Sequence, residues 1–212
     1  MDPTWLSNAY LVADEHGGTA VFVDSGAPVE PLLRTAEEWQ VTPTHVFRTH
    51  SHPDHVANEH RLGLPVARGS MESGDLWIDA IPTPGHSDDM VAFVVNDAAV
   101  FSGDTLFKDA VGGGDYEQVK SAVMDVYMSM PHERRVLPGH TDETTIGREW
   151  EKNPFVRVWR GVEHEGTERV RVAGREATLI VWSPDYDGKG KAWIRYDDGT
   201  DAIVGGSQVE RS

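Results

Sequence analysis

Cysteine is absent from the 212 residues. Its absence excludes disulfides, thiolate metal ligands and a cysteine nucleophile, so any bound metal must be held by nitrogen and oxygen. Long apolar runs are absent too, since no stretch approaches the roughly 20 apolar residues of a membrane helix. The opening Met1-Asp2-Pro3-Thr4-Trp5 has neither a basic region nor an apolar signal core. Positive charge is scarce: 19 Lys and Arg face 35 Asp and Glu, for a formal net charge of −16. Such a surface repels phosphate backbones and anionic lipid. The expectation is a soluble, cytoplasmic protein that acts on a small molecule, with no nucleic-acid or membrane partner. What is present is a 39% hydrophobic content, enough for a real core. The length suits one domain of ordinary size, or one large domain with a small appendage.

Along the chain, Asn8 to Val12 and Ala20 to Val23 have strand character around the turn His16-Gly17-Gly18-Thr19. Val29 to Glu38 has helical spacing, with Val29, Leu32, Leu33 and Ala36 on one face. Thr44 to Thr49 is a short strand, and Val56 to Leu62 a short helix. Leu64 to Ala67, Leu76 to Ile81, Met90 to Val95, Ala98 to Phe101 and Arg135 to Leu137 are further strands. Tyr116 to Met130, with Val119, Val123, Val126 and Met130 at helical spacing, is the clearest helix, and its stripe is core packing. Ile146 to Lys152 is helical. After about Gly161 come four or five short strands separated by Ala173-Gly174, Asp187-Gly188 and Asp197-Asp198-Gly199. The expected division is therefore residues 1–160 as a catalytic domain and 167–212 as a small β-barrel-like appendage. Trp182, Tyr186, Trp193 and Tyr196 in that segment are read first as a small core and second as an aromatic binding surface. The segment is a candidate to cover the active site or to make a homodimer.

The chemistry is concentrated in Thr49-His50-Ser51-His52-Pro53-Asp54-His55. Imidazole and carboxylate suit zinc, iron or manganese. In extended backbone His50 and His52 point the same way, because side chains repeat every second residue. A turn at Pro53 brings Asp54 and His55 to a neighbouring point. The run thus offers two ligands to each of two nearby sites. Three later segments place a ligand type after a strand or a glycine turn: Thr83-Pro84-Gly85-His86, Ser102-Gly103-Asp104-Thr105 and Leu137-Pro138-Gly139-His140. Rigid strand ends are suited to fixing ligand geometry.

In this order, HxHxDH then His, Gly-Asp and Gly-His, the chain resembles metallo-β-lactamase-fold hydrolases over residues 8–160. Within them it is most similar to short glyoxalase II-like (hydroxyacylglutathione hydrolase-like) proteins. Thr83 to His86, Gly103-Asp104-Thr105-Leu106-Phe107-Lys108, Thr145-Ile146-Gly147-Arg148-Glu149 and Asn153-Pro154-Phe155 carry that likeness. The resemblance implies an α+β fold, a four-layer αβ/βα sandwich, here with a small β-rich C-terminal segment. It implies two divalent ions, zinc first, with iron or manganese as alternatives. His50, His52 and His86 would bind one, Asp54, His55 and His140 the other, and Asp104 would bridge them. Asp54 and Asp104 are the expected catalytic carboxylates, and Asp24 a partner behind a ligand histidine.

A hydroxide shared by two ions would attack a thioester, whose thiolate leaves without a dedicated acid. The main alternative is a persulfide dioxygenase with one iron on His50, His86 and Asp104. Lactone or ester hydrolysis and an inactive metal-binding protein follow. The helical glutathione-binding domain of long glyoxalase II has no counterpart in the β-rich C-terminal segment. The run Val111-Gly112-Gly113-Gly114 lacks the arginine of short relatives, which leaves Lys108 as the nearest candidate for a substrate carboxylate.

Overall fold

The computed structural model describes residues 6–211; the 1–5 segment inspected above for targeting signals lies outside them. Strands β1 (Tyr10–Ala13) and β2 (Thr19–Val23) form the expected antiparallel hairpin. Helix α1 (Glu30–Glu38) crosses to β3 (Thr42–Phe47), which runs parallel to β2. Helix α2 (Pro53–Val56) follows, then β4 (Val66–Ala67) completes a four-stranded sheet in the order β1-β2-β3-β4. The helix expected over Val56 to Leu62 is not there. The α-turn begins earlier, at Pro53, whose fixed φ and missing N–H suit a first helical position. It ends where the Asn58 side chain turns back to the carbonyls of Gly26 and Ala27, leaving only a 3₁₀ turn at Glu59–Arg61.

The second sheet starts with β5 (Met71–Ser73), β6 (Leu76–Pro82), β7 (Val91–Val95) and β8 (Ala99–Gly103), all antiparallel neighbours. A small hairpin, β9 (Leu106–Phe107) with β10 (Ala110–Val111), leads away from it. Strand β11 (Arg135–Pro138) returns parallel to β8, and β12 (Thr144–Thr145) closes the order β12-β11-β8-β7-β6-β5. Every residue of β7 is buried because the strand is covered on both faces. Val91, Phe93 and Val95 meet Val21, Val23 and Phe47 of the first sheet, while Ala92 and Val94 face the helices. On the far side of the first sheet, Ala36 of α1 packs on Ala20. Helix, sheet, sheet, helix is the αβ/βα sandwich.

The second helical layer departs from expectation in one place. Residues 116–129 are helical throughout, but as α3 (Tyr116–Ser121), a π-turn at Ala122–Val126 and a 3₁₀ turn at Tyr127–Ser129. The residues that are fully buried are Val119, Val123 and Tyr127, each four apart. A strict four-residue repeat drifts off one face of a 3.6-residue helix, and an i→i+5 turn corrects the drift. Tyr127 is thus the buried residue where Val126 was expected. Helices α4 (Ile146–Lys152) and α5 (Pro154–Trp159) complete the layer, with caps from Thr145 Oγ1 and Asn153 Oδ1.

The C-terminal strands fall where the turn signals put them: β13 (Glu168–Val172), β14 (Arg175–Ser183), β15 (Lys191–Tyr196) and β16 (Asp201–Gly205), with β17 (Val209–Arg211) in addition. They form one antiparallel sheet in the order β16-β15-β14-β13-β17. One face holds its own cluster of Val170, Val172, Ala177, Leu179, Ala192 and Ile194. The other face sends Ile180, Val181, Trp193 and Ile203 into the same core as Val119, Val123 and Phe155. A register shift between Leu179 and Val181 lets consecutive residues face that core. Among the described residues, no helix is long and apolar enough to cross a membrane.

Candidate metal centre

Each candidate ligand leaves the sandwich from the end of a strand. His50 lies just beyond β3, and His52, Asp54 and His55 start α2. His86 sits in the β6–β7 connection, Asp104 directly after β8, and His140 directly after β11. Because β11 runs parallel to β8, their ends bring Asp104 and His140 together. Gly139 is required at this junction: a Cβ there would collide with the Asp104 carboxylate and the His55 ring.

All seven residues converge in two groups. His50, His52 and His86 form one; Asp54, His55, Asp104 and His140 form the other, and within each the potential ligand atoms lie within 4.8 Å of one another. Asp104 stands between them. Its Oδ2 is 3.5 Å from His86 Nε2 and 3.2 Å from His140 Nε2, and its Oδ1 is 3.3 Å from His55 Nε2. Asp54 Oδ2 is 3.4 Å from His140 Nε2 and 3.6 Å from His55 Nε2. His50, His55 and His140 are fully buried, Asp104 nearly so, and His52 is exposed, so the centre opens on the His52 side.

The hydrogen bonds behind the rings decide which nitrogen faces inward. His86 Nδ1 is 2.9 Å from the Gly113 carbonyl and His140 Nδ1 is 2.8 Å from that of Leu6. A carbonyl only accepts, so both Nδ1 atoms carry the proton and each Nε2 keeps its lone pair when the ring is neutral. His55 Nδ1 donates to Asp24 Oδ2 at 2.8 Å. The Thr49 hydroxyl donates to the same Asp24 oxygen at 2.8 Å, which leaves Thr49 Oγ1 to accept from His50 Nδ1 at 3.1 Å. Asp24 also accepts from the Thr49 backbone N–H at 2.8 Å. His52 alone turns its Nδ1 inward, 3.0 Å from His86 Nε2.

The inward nitrogens of His50, His55 and His140, and Asp104 Oδ1, are buried without a hydrogen-bond partner. Buried polar atoms rarely go unpaired. Four of them converging, with tautomers set from behind, fit a cation. The charges agree. Burial favours neutral His55 and His140, but Asp24 and Asp104 overcome it at His55, raised to about 11. Asp104 and Asp54 overcome it at His140, raised to about 9. Burial would raise Asp104, but the His140 and His55 rings beside it hold it well below the usual carboxylate range. At His50 burial wins over the charge of Asp104 and lowers the ring to about 3. Without an ion, this acidic centre draws positive charge onto His55 and His140.

Lys108 donates to Asp142 Oδ2 at 3.0 Å, two residues beyond His140. Of the acids beside His86, Asp89 is tied to Arg68 Nη1 at 2.9 Å, Ser51 Oγ at 2.7 Å and Ser87 Oγ at 2.8 Å. It latches the histidine run to the His86 loop. Sequence reasoning missed several supports. The carbonyls of Leu6 and Gly113 carry no side-chain signal, and Thr49 looked like the end of a strand. Glu149, fully buried, accepts from Thr144 Oγ1 at 2.6 Å, Asp109 N at 2.8 Å, Arg148 Nη1 at 2.6 Å and Asn153 Nδ2 at 3.0 Å. Tyr186, from the C-terminal sheet, stacks on His140 with ring centroids 3.8 Å apart and planes 8° apart.

Comparison with known proteins agrees with this architecture. A family model of the metallo-beta-lactamase superfamily matches residues 2–62, the stretch that holds His50 to His55. TTHA1623, solved in a di-iron-bound form, is 30% identical, with a TM-score of 0.60 over 73% of this chain and 97% of that one. The chain belongs to the metallo-beta-lactamase superfamily. It is similar to the hydroxyacylglutathione hydrolase GloC of Haemophilus influenzae, 26% identical over 196 residues, covering 70% of this chain and 92% of that protein. ETHE1 from Myxococcus xanthus is 29% identical, with a TM-score of 0.66 over 74% of this chain and 82% of that one.

Proposed function

We propose that the protein is a binuclear metal-dependent hydrolase that cleaves a thioester. The observation that carries the reading is the pair of ligand groups with Asp104 between them, and with unpartnered buried nitrogens turned inward. His50, His52 and His86 would hold one divalent ion, Asp54, His55 and His140 the other, and Asp104 both. The donor set of imidazole and carboxylate suits zinc, iron or manganese. When bound, such ions lower the pKa of water from about 15.7 towards 7 and polarise a carbonyl.

The chain's residues supply the rest. Asp24 and the Leu6 and Gly113 carbonyls hold imidazoles in the tautomer that leaves Nε2 free. Asp54, whose side chain is 21% exposed against 7% for Asp104, is the carboxylate placed to take up a proton on the open side. A thiolate leaves with little need of protonation, and the two groups contain no further acid dedicated to it. The thioester class is supported by the name of the Haemophilus influenzae relative. Lys108, on the turn between β9 and β10, is the cation proposed to meet a substrate carboxylate once it leaves Asp142.

A one-iron persulfide dioxygenase on His50, His86 and Asp104 is the second reading, kept because the fold is known with iron bound. The complete four-residue group of Asp54, His55, Asp104 and His140 favours two ions. Metal content of freshly purified protein, measured beside thioester hydrolysis and oxygen uptake on a persulfide, decides. About two ions per chain with thioester turnover are expected. One iron with oxygen consumption would overturn the hydrolase reading.

A further inference from the structure

The C-terminal sheet does more than cover the core. The loop between β14 and β15 lays the Tyr186 ring flat on His140, while Phe107 meets the His140 ring edge-on at 5.7 Å and Tyr186 at 6.1 Å. The loop is tied down on both sides. Ser183 Oγ donates to the Asp109 carbonyl, and the Asp109 N–H is itself held by buried Glu149. Lys191 pairs with Asp185 at 2.9 Å, with both side chains largely buried. A tyrosine on a tethered loop is a fixed wall rather than a passing contact.

His140 needs such a wall. One hydrogen bond, from Nδ1 to the Leu6 carbonyl, fixes one point of the imidazole and leaves it free to tilt about that bond. Tilting swings Nε2 away from Asp104 and Asp54, which lie 3.2 and 3.4 Å from it. A coplanar ring at 3.8 Å removes that freedom. The first group, His50, His52 and His86, has no member stacked on the C-terminal sheet among the described residues. The stack is therefore confined to the second group, and the first group touches this sheet behind His86, where Gly114 beside the Gly113 carbonyl bridges Ile203.

We infer that Tyr186 is a positioning residue for His140, through which the C-terminal sheet sets how tightly the group of Asp54, His55, Asp104 and His140 holds its ion. The inference rests on the two-metal reading. Partners behind a ligand are typically worth 10–100-fold in metal affinity. The test titrates ion-free full-length protein with Zn²⁺ against a chromophoric chelator, for the wild type and for Tyr186→Phe, Tyr186→Leu and Tyr186→Ala. The wild type is expected to take two equivalents. Tyr186→Ala and Tyr186→Leu keep the first equivalent and hold the second about tenfold more weakly. Tyr186→Phe, which retains the stack, stays within about twofold of wild type. The leucine variant keeps apolar cover, so it reports on stacking even if the alanine variant unfolds. Wild-type affinity for both equivalents in the leucine variant overturns the inference alone, as does an equal loss from both. A wild type that takes fewer than two equivalents overturns the two-metal reading, and this inference with it.

Discussion

Replacing Asp24 by Asn tests the logic of the centre without touching a ligand. Asp24 is buried and accepts three hydrogen bonds, from the Thr49 N–H, the Thr49 hydroxyl and His55 Nδ1, each 2.8 Å long. Its φ is 55°, a left-handed conformation that Asn tolerates as well as Asp, so the backbone adds no strain of its own. Asn has one acceptor oxygen. The Thr49 backbone N–H cannot change its role and claims that oxygen. The NH₂ group then faces the Thr49 hydroxyl, which can rotate to accept, and His55 Nδ1, which must give up its proton to accept. The proton moves to His55 Nε2, the nitrogen that faces Asp104 and the proposed ion. The ring is still present and in place, but in the wrong tautomer. Outer partners of this kind are worth about 10–100-fold in metal affinity, or roughly 1.4–2.7 kcal/mol. Competition titration with a chelator should show that loss in one of two equivalents, with the circular dichroism spectrum unchanged. An Asp24→Asn protein that binds both ions as tightly as wild type would refute the tautomer argument.

Three further outcomes are expected. His55 and His140 sit at about 11 and about 9 in the ion-free protein, above the ordinary 6.5, so both are protonated at pH 7.5 and metal binding must displace both protons. Calorimetry in buffers of different protonation enthalpy should report at least two protons released, any ionised bound water adding to the count, with affinity rising with pH; no release would contradict the charge assignment. With both values raised, the stability these histidines lend the ion-free protein is complete below about 6.5 and is lost as pH climbs through about 9 and about 11. His52→Ala and Asp104→Ala should each abolish hydrolysis while leaving the far-ultraviolet spectrum native-like, and a fully active Asp104→Ala protein would remove its bridging role. Deleting residues 167–212 strips Ile180, Val181, Trp193 and Ile203 from the main core, a burial worth roughly 6–12 kcal/mol, comparable with the stability of a whole domain. Thermal melting and light scattering should show an unfolded or aggregated product, and a truncated protein that melts within a few degrees of wild type would show the sheet to be dispensable.

The convergence of the seven candidate ligands was legible because three histidines and an aspartate fall within six residues and each later candidate follows a glycine at a strand end. Most strands were legible for a simpler reason: β7 and β8 carry continuous apolar runs, and the C-terminal strands are separated by glycine turns. The helix at 116–129 was legible in extent but not in kind, since a repeat of four scans as helical spacing whether or not a π-turn corrects it. The 56–62 segment misled because Asn58 bonds to distant carbonyls, at Gly26 and Ala27, that no local pattern reveals. Asp24 was legible as a candidate partner only by its place after a strand. Tyr186 was legible only as one of four aromatics in the C-terminal segment, not as a neighbour of His140. Its partner is set by how the last sheet docks, and in composition it is one loop aromatic among several.

The support of His140 gives the centre a history as well as a shape. Its backbone anchor, Leu6, lies 134 residues before it in the chain, and its stacking partner, Tyr186, comes later still. During synthesis the group of His50, His52 and His86 is complete once residue 86 has emerged. The group around Asp104 waits for His140, and its wall for the C-terminal hairpin. Contacts of such long separation form late in folding. A nascent chain can therefore assemble the His50, His52 and His86 side of the centre, with Asp104 beside it and the Gly113 carbonyl behind His86, before it can assemble the His140 side.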